Sequence, residues 1–237
     1  METVNWSQPA GNLSPSKNEV HIWRAWLEAD ATELSRLCDF LSEDELSRAN
    51  RFVFPRDRHH FIVGRGRLRE LLGRYLGRGP QTLQFQTGKF GKPRLEDPSG
   101  LCFNLTHSHG LAVYAFATQR ELGIDAEKIR PDFGGEEIAG RYFSAAEQKE
   151  LHELPVELRA TAFFLCWTRK EAYIKAHGDG LQIRLASFDV SLTPGKPETL
   201  QSSDSQRWNL NSFTPAPGYA AAIITEGDAP SIRFWDS

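Results

Sequence analysis

The amino-acid sequence predicts a mixed α/β (α+β) protein, a pseudo-dimer of two similar halves, and three observations carry that expectation. Helical and strand-like apolar patterns alternate along the chain, so helices and sheets must pack on one another. Phe103-Asn104-Leu105, then Gly110-Leu111-Ala112 and Thr118, returns as Trp208-Asn209-Leu210, then Gly218-Tyr219-Ala220 and Thr225. Each copy follows a long helical pattern ending in Gly-x-Gly, Gly77-Arg78-Gly79 and Gly178-Asp179-Gly180. The length of 237 residues suits one large domain or two small ones. The expected division is a loose arm over 1–18, rich in Ser, Pro, Asn and Gly, an N-terminal half over 19–118 and a C-terminal half over 119–237. A site is expected where the halves meet, since ligand sites favour such interfaces.

Taken in order, Glu19 to Leu27 alternates polar and apolar as a half-buried strand does. Ala31 to Cys38 and Ser42 to Arg51 read as short helices, the second opened by a capping box of Ser42 and Glu45. A long helix follows over Arg58 to Leu76, then a basic glycine loop, Gly88-Lys89-Phe90-Gly91-Lys92-Pro93-Arg94, ahead of a strand. Leu101 to Leu105 and Leu111 to Thr118 read as buried strands, and Gly123 to Glu127 as extended. Ile138 to Leu151 is helical, with a break expected at Ser144, and Phe163 to Lys175 is the second long helix. Strands near Phe188 to Leu192, Trp208 to Phe213 and Tyr219 to Thr225 complete the reading.

The formal net charge of −3 leaves no overall basic footprint and sets nucleic acid aside as a partner. Cys38, Cys102 and Cys166 are odd in number and lack metal-ligand spacing, which reads as reduced thiols. There is no leader-like start and no run long enough to span a bilayer, so the expectation is a cytoplasmic protein without membrane association. Two halves in one chain already make a two-sided site, and a monomer is expected.

Several residues are in settings that call for a purpose. At roughly 100° per residue, Phe163, Phe164, Trp167 and Ile174 share a helix face, and Glu171 falls inside that stripe. A carboxylate there is either salt-bridged, with Lys175 one turn on, or a working group. Arg58, Arg65 and Arg69 form another stripe, either a solvated face with snorkelling stems or an anion cradle. His107 and His109 lack a third ligand at zinc spacing, and Thr106 stands where a nucleophile elbow around Ser108 needs its first glycine. The remaining readings are a structural turn or a histidine donating to phosphate. Asp125 and Glu127 share one face of a strand. They are either a solvent-facing edge or, with a cation between them, a Mg²⁺ site that substrate phosphate completes.

Together these motifs resemble those of the surfactin-type 4'-phosphopantetheinyl transferases: Lys92-Pro93 after glycine, Phe103 to Ser108, Gly123 to Glu127, and Trp167 to Lys175. The resemblance spans roughly residues 20 to 225 and implies a pseudo-dimer that moves the phosphopantetheine arm of coenzyme A onto a serine of an apo acyl or peptidyl carrier protein, as a holo-[acyl-carrier-protein] synthase does, releasing adenosine 3',5'-bisphosphate. It implies Mg²⁺ held by Asp125, Glu127 and Glu171 against the diphosphate. Glu171, directly or through a water on the metal, would take the serine proton, Lys175 would assist the leaving phosphate, and His107 would donate to a diphosphate oxygen. Coenzyme A contacts would come from Lys92 and Pro93 at the nucleotide end, Arg58, Arg69 and Thr106 near the 3'-phosphate, and Lys170 with Lys175. Thr106 replaces the family's usual Ser and keeps the hydroxyl. Arg141, Tyr142 and Phe143 resemble the region that docks the carrier.

Overall fold

Strand periodicity decides the layering of this protein. The computed structural model describes residues 4–9, 13–88, 92–96, 99–178 and 183–237. The N-terminal half holds β1 (Glu19–Trp26), α1 (Ala31–Cys38), α2 (Glu43–Ala49), α3 (Pro55–Leu76), β2 (Phe85–Thr87), β3 (Pro93–Leu95), β4 (Leu101–Ser108) and β5 (Leu111–Thr118). Then come β6 (Leu122–Lys128), α4 (Glu136–Tyr142), α5 (Ala145–Glu153), α6 (Val156–His177), β7 (Asp189–Val190), β8 (Leu200–Gln201), β9 (Trp208–Phe213), β10 (Tyr219–Glu226) and β11 (Ser231–Asp236). One sheet has the order β11-β1-β5-β4 and a second the order β6-β10-β9. In β5 the even residues Ala112, Tyr114 and Phe116 pack with Val63, Leu68 and Leu72 of α3. The odd residues Leu111, Val113, Ala115 and Ala117 meet Leu122, Ile124, Ala126, Ala221 and Ile223 of the second sheet. Ala220, Ala222 and Ile224 of β10 then face Phe164, Ala172 and Ala176 of α6. Because side chains alternate across a strand, both faces of both sheets are covered, giving helix, sheet, sheet, helix.

The internal repeat has a structural counterpart that the sequence motifs did not reveal. Both long helices have 22 residues and stop at a left-handed glycine, Gly77 at φ 63° and Gly178 at φ 72°. Each half also places a cation at the same point of its long helix, fourteen residues after Pro55 or Val156. In α3 this is Arg69, which donates to Glu45 Oε2 at 2.6 Å and to the carbonyls of Pro80 and Leu83. In α6 it is Lys170, paired with Glu147 Oε2 at 2.9 Å and donating to the carbonyls of Leu185 and Phe188. Glu45 and Glu147 are the capping-box glutamates of α2 and α5, so one carboxylate caps a short helix and anchors it to the long one. Arg69 and Lys170 are buried and bonded within the protein, which corrects their assignment to coenzyme A: both cations close the core beneath a loop.

Two further corrections concern the chain ends. The described part of the N-terminal segment is packed, not loose. Trp6 lies edge-on to Phe234 at 5.3 Å beneath the Arg24 guanidinium, and Leu13 is buried. Two apolar anchors outweigh a polar composition here. The last strand, β11, runs parallel to β1 in the first sheet, so the C-terminal residues of the expected 119–237 half close the sheet of the other half. No helix among the described residues is long and apolar enough to cross a membrane, and all three cysteines are free.

Candidate active site

The site is built where β4 and β6, the end strands of the two sheets, run alongside one another. Asn104, Thr106 and Ser108 alternate along β4 and point at β6. Asn104 Oδ1 accepts from the amide of Ile124 at 2.9 Å, Thr106 donates to Asp125 Oδ1 at 3.0 Å, and Ser108 donates to Glu127 Oε2 at 2.6 Å. On the far side of β6 lies α6. A Cβ added to Gly123 would sit 2.2 Å from both Ala172 O and Ala176 N, so the helix backbone rests directly on the strand. This contact puts Glu171 and Lys175, one turn apart, over the carboxylates of β6. Lys175 Nζ donates to Asp125 Oδ1 at 2.6 Å. The other oxygen, Oδ2, is buried with no partner.

Electrostatics make this a strained cluster. Burial raises Glu171 above its ordinary 4.5, Asp125 and Glu127 add to the rise, and Lys175 opposes it. Burial likewise raises Glu127 against the Ser108 hydrogen bond, with Asp125 contributing. Both shifts arise because removing water penalises ionised carboxylates and neighbouring negative charges repel. His107 lies on the other face of β4. Loss of solvation, then the Lys175 ammonium and His60 of α3, push it below 6.5, so its imidazole is neutral near pH 7.

These directions fix a pH dependence. A carboxylate whose pKa is raised by folding binds its proton more tightly in the native state. Its penalty is therefore absent below the unfolded value near 4.5 and grows as pH rises through the folded value. In EDTA, Glu171→Gln is expected to melt a few degrees above the native protein at pH 7. The gap should shrink towards zero as pH falls to about 4.5 in thermal scans. A variant that melts lower at pH 7 would show that the native fold stabilises the Glu171 charge without any ion.

The residues suit a divalent cation in three respects: a buried carboxylate oxygen without a partner, three carboxylates in one another's field, and hard oxygen donors. They do not form a finished cage. Among the described residues no three His, Cys, Asp or Glu groups are gathered as a ligand set, and the Lys175 ammonium holds one Asp125 oxygen. Such a half-site fits Mg²⁺, which takes one or two carboxylates and draws its other ligands from water and substrate phosphates.

The other sequence assignments fare unevenly. Thr106 is in the site, where its hydroxyl donates to Asp125. Lys92 Nζ is held by Glu121 at 3.0 Å and by the carbonyls of Leu122 and Ala176, tying β3 to the other half. Burial lowers its pKa. Pro93 opens β3 beside it, while Lys89, Phe90, Gly91 and Asp179 to Gly180 lie outside the described residues. Of the arginine stripe, Arg65 and Arg69 are both spent on Glu45. Arg58 stays exposed in the first turn of α3, with Arg56 beside it. Phe143 is core against Phe163, whereas Tyr142 is exposed and edges onto Trp167. Sequence reasoning missed the roles of Asn104, Ser108 and His60. The period-2 polar face of β4 was the available signal for the first two.

Both halves of the chain match known proteins. Residues 24–119 match the family model described as 4'-phosphopantetheinyl transferase, N-terminal, and residues 121–224 match the 4'-phosphopantetheinyl transferase superfamily model. The chain is 42% identical to the 4'-phosphopantetheinyl transferase HetI of Nostoc sp. over 97% of each protein. It is 35% identical to a putative 4'-phosphopantetheinyl transferase, slr0495, of Synechocystis sp. over 73% of this chain and 71% of that one. It is 30% identical to the 4'-phosphopantetheinyl transferase Sfp of Bacillus subtilis over 81% and 84%.

Proposed function

The chain belongs to the 4'-phosphopantetheinyl transferases, and on that premise we propose that the seam between its two sheets performs the transfer with Mg²⁺ held by Asp125, Glu127 and Glu171. The reaction moves the phosphopantetheine arm of coenzyme A onto a carrier-protein serine. The observation that carries the assignment is Asp125, with one oxygen on Lys175 and the other buried and unpartnered. A bound Mg²⁺ would neutralise the diphosphate and fix its orientation.

The chain's own residues supply the rest. The serine oxygen attacks the phosphorus that bears the pantetheine arm, forming one P–O bond while the bond to the adenosine bisphosphate oxygen breaks. Glu171, with its raised pKa, is suited to take the serine proton. Lys175, which donates to Asp125 in the fold, would stabilise or protonate the leaving phosphate oxygen. Neutral His107 donates to a diphosphate oxygen. Exposed Arg58 meets the 3'-phosphate. Lys92 and Pro93 border the nucleotide end, where Lys92 would exchange Glu121 for the ligand. We read the enzyme as a cytoplasmic monomer of the holo-[acyl-carrier-protein] synthase type. Its nucleotide-binding half is 19–118 and its metal and catalytic half is 119–237, with β11 closing the first sheet.

Intact-mass analysis tests this directly. Apo acyl carrier protein incubated with the enzyme, coenzyme A and Mg²⁺ should gain one phosphopantetheine group, and the gain should vanish in EDTA. Coenzyme A cleaved without modification of the carrier would make the protein a hydrolase. Coenzyme A left intact on several carriers would make it a binding module.

A further inference from the structure

Among the described residues the two sheets share no backbone ladder at the seam, because β4 ends one sheet and β6 ends the other. Side chains of β4 take the place of that ladder. Asn104 Oδ1 and Ser108 Oγ accept from the Ile124 and Lys128 amides at 2.9 and 3.3 Å, as carbonyls of a neighbouring strand would. Ser108 does more than this. Its single proton goes to Glu127 Oε2 at 2.6 Å, so its contact with His109 Nδ1 at 3.0 Å needs the imidazole as donor. The hydroxyl is thus fixed from two sides by donors and has one direction left for its own hydrogen. His109, at φ 46°, and Gly110, at φ 84°, form the tight turn that follows, which holds Ser108 at the end of β4.

We infer that Ser108 is a positioning residue for the transfer reaction: its hydroxyl, locked by the Lys128 amide and His109, orients the Glu127 carboxylate towards the ion, and so relays the alignment of the two sheets to the metal site. Thr106 does the same for Asp125 one step along the strand, but Asp125 is also held by Lys175. Among the described residues Ser108 makes the one side-chain hydrogen bond to Glu127, so Glu127 depends on it more. Outer partners of this kind set ligand direction, and their loss weakens metal affinity by roughly 10–100-fold.

The inference rests on the Mg²⁺ reading above, and the experiment separates the two. Mg²⁺ is titrated calorimetrically into the enzyme–coenzyme A complex, without carrier, for the native protein, Ser108→Ala, Ser108→Thr, Glu127→Gln and the double variant Ser108→Ala/Glu127→Gln, with a melting curve for each. Ser108→Ala should weaken Mg²⁺ binding about 10-fold or more. Ser108→Thr, which keeps the hydroxyl, should restore most of it. The double variant should bind no more weakly than Glu127→Gln, since the two residues act through one carboxylate. Native-like binding by Ser108→Ala beside a weakened Glu127→Gln would overturn the positioning role and leave the metal site standing. A Ser108→Ala loss that persists undiminished in the Glu127→Gln background, or that Ser108→Thr does not repair, would make Ser108 a merely structural residue. Absence of Mg²⁺ uptake by the native complex would remove the metal reading and this role together.

Discussion

Glu171→Gln is expected to lower carrier modification by roughly 10²–10⁴-fold, the range that a positioned general base contributes, and to do so in a protein that folds normally. The amide keeps the shape of the side chain and removes both the proton acceptor and one negative charge. The loss cannot be ascribed to unfolding, because burial and the nearby Asp125 already make the native charge unfavourable, so the variant should melt higher in EDTA. Asp125→Ala tests the same site from the strand. It removes the partner of Lys175 and Thr106 together with the unpartnered oxygen, and should abolish transfer while releasing Lys175. Single-turnover rates on an apo carrier, with coenzyme A binding measured in parallel, distinguish lost chemistry from lost substrate. Full activity in either variant would remove the assignment of the metal site.

Much of this was legible in the sequence, for physical reasons that also explain the failures. The carboxylate inside the aromatic stripe of α6 was readable because helical periodicity places Glu171 beside Trp167 whatever the rest of the chain does. The pairing of Asp125 with Glu127, and of Ile124 with Ala126, was readable from the two-residue repeat of a strand. Partners from elsewhere in the chain were not. Nothing local says that the capping glutamate Glu45 also collects Arg65 and Arg69, so an arginine stripe looked free when two of its three members were spent. Lys170 was misplaced for the same reason. It shares a motif with Glu171 and Lys175 but faces the opposite side of α6, where Glu147 and two carbonyls await it. Lys175 reached Asp125 across the fold instead of forming an ion pair with its helical neighbour Glu171. The strand β11 had a readable alternation, Ile232 and Phe234 against Arg233, but only the fold shows that it returns to β1.

Gly123→Ala is expected to be the most damaging single methyl group that can be added near the site. The position needs no unusual backbone angle, so the cost is purely one of space. The new Cβ would stand 2.2 Å from Ala172 O and Ala176 N, and 2.7 Å from Lys175 C. All three are main-chain atoms of a buried helix, and no rotamer change can move them aside. Trimming the neighbour with Ala172→Gly should therefore not rescue the variant. To reach ordinary contact near 3.5 Å, α6 must lift from β6 by on the order of 1 Å. Overpacking of this kind costs about 1–3 kcal/mol, which for a chain of this size lowers Tm by several degrees. The shift also carries Glu171 and Lys175 away from Asp125, and a displacement of about 1 Å can cost roughly 10²-fold in rate. Gly140→Ala supplies the control: it lies in α4 with nothing near its Cβ, and should leave Tm equal or slightly raised. Melting curves and single-turnover transfer for both variants decide the matter. Native stability and rate in Gly123→Ala would mean that strand and helix are not held at the distance on which this reading of the catalytic cluster depends.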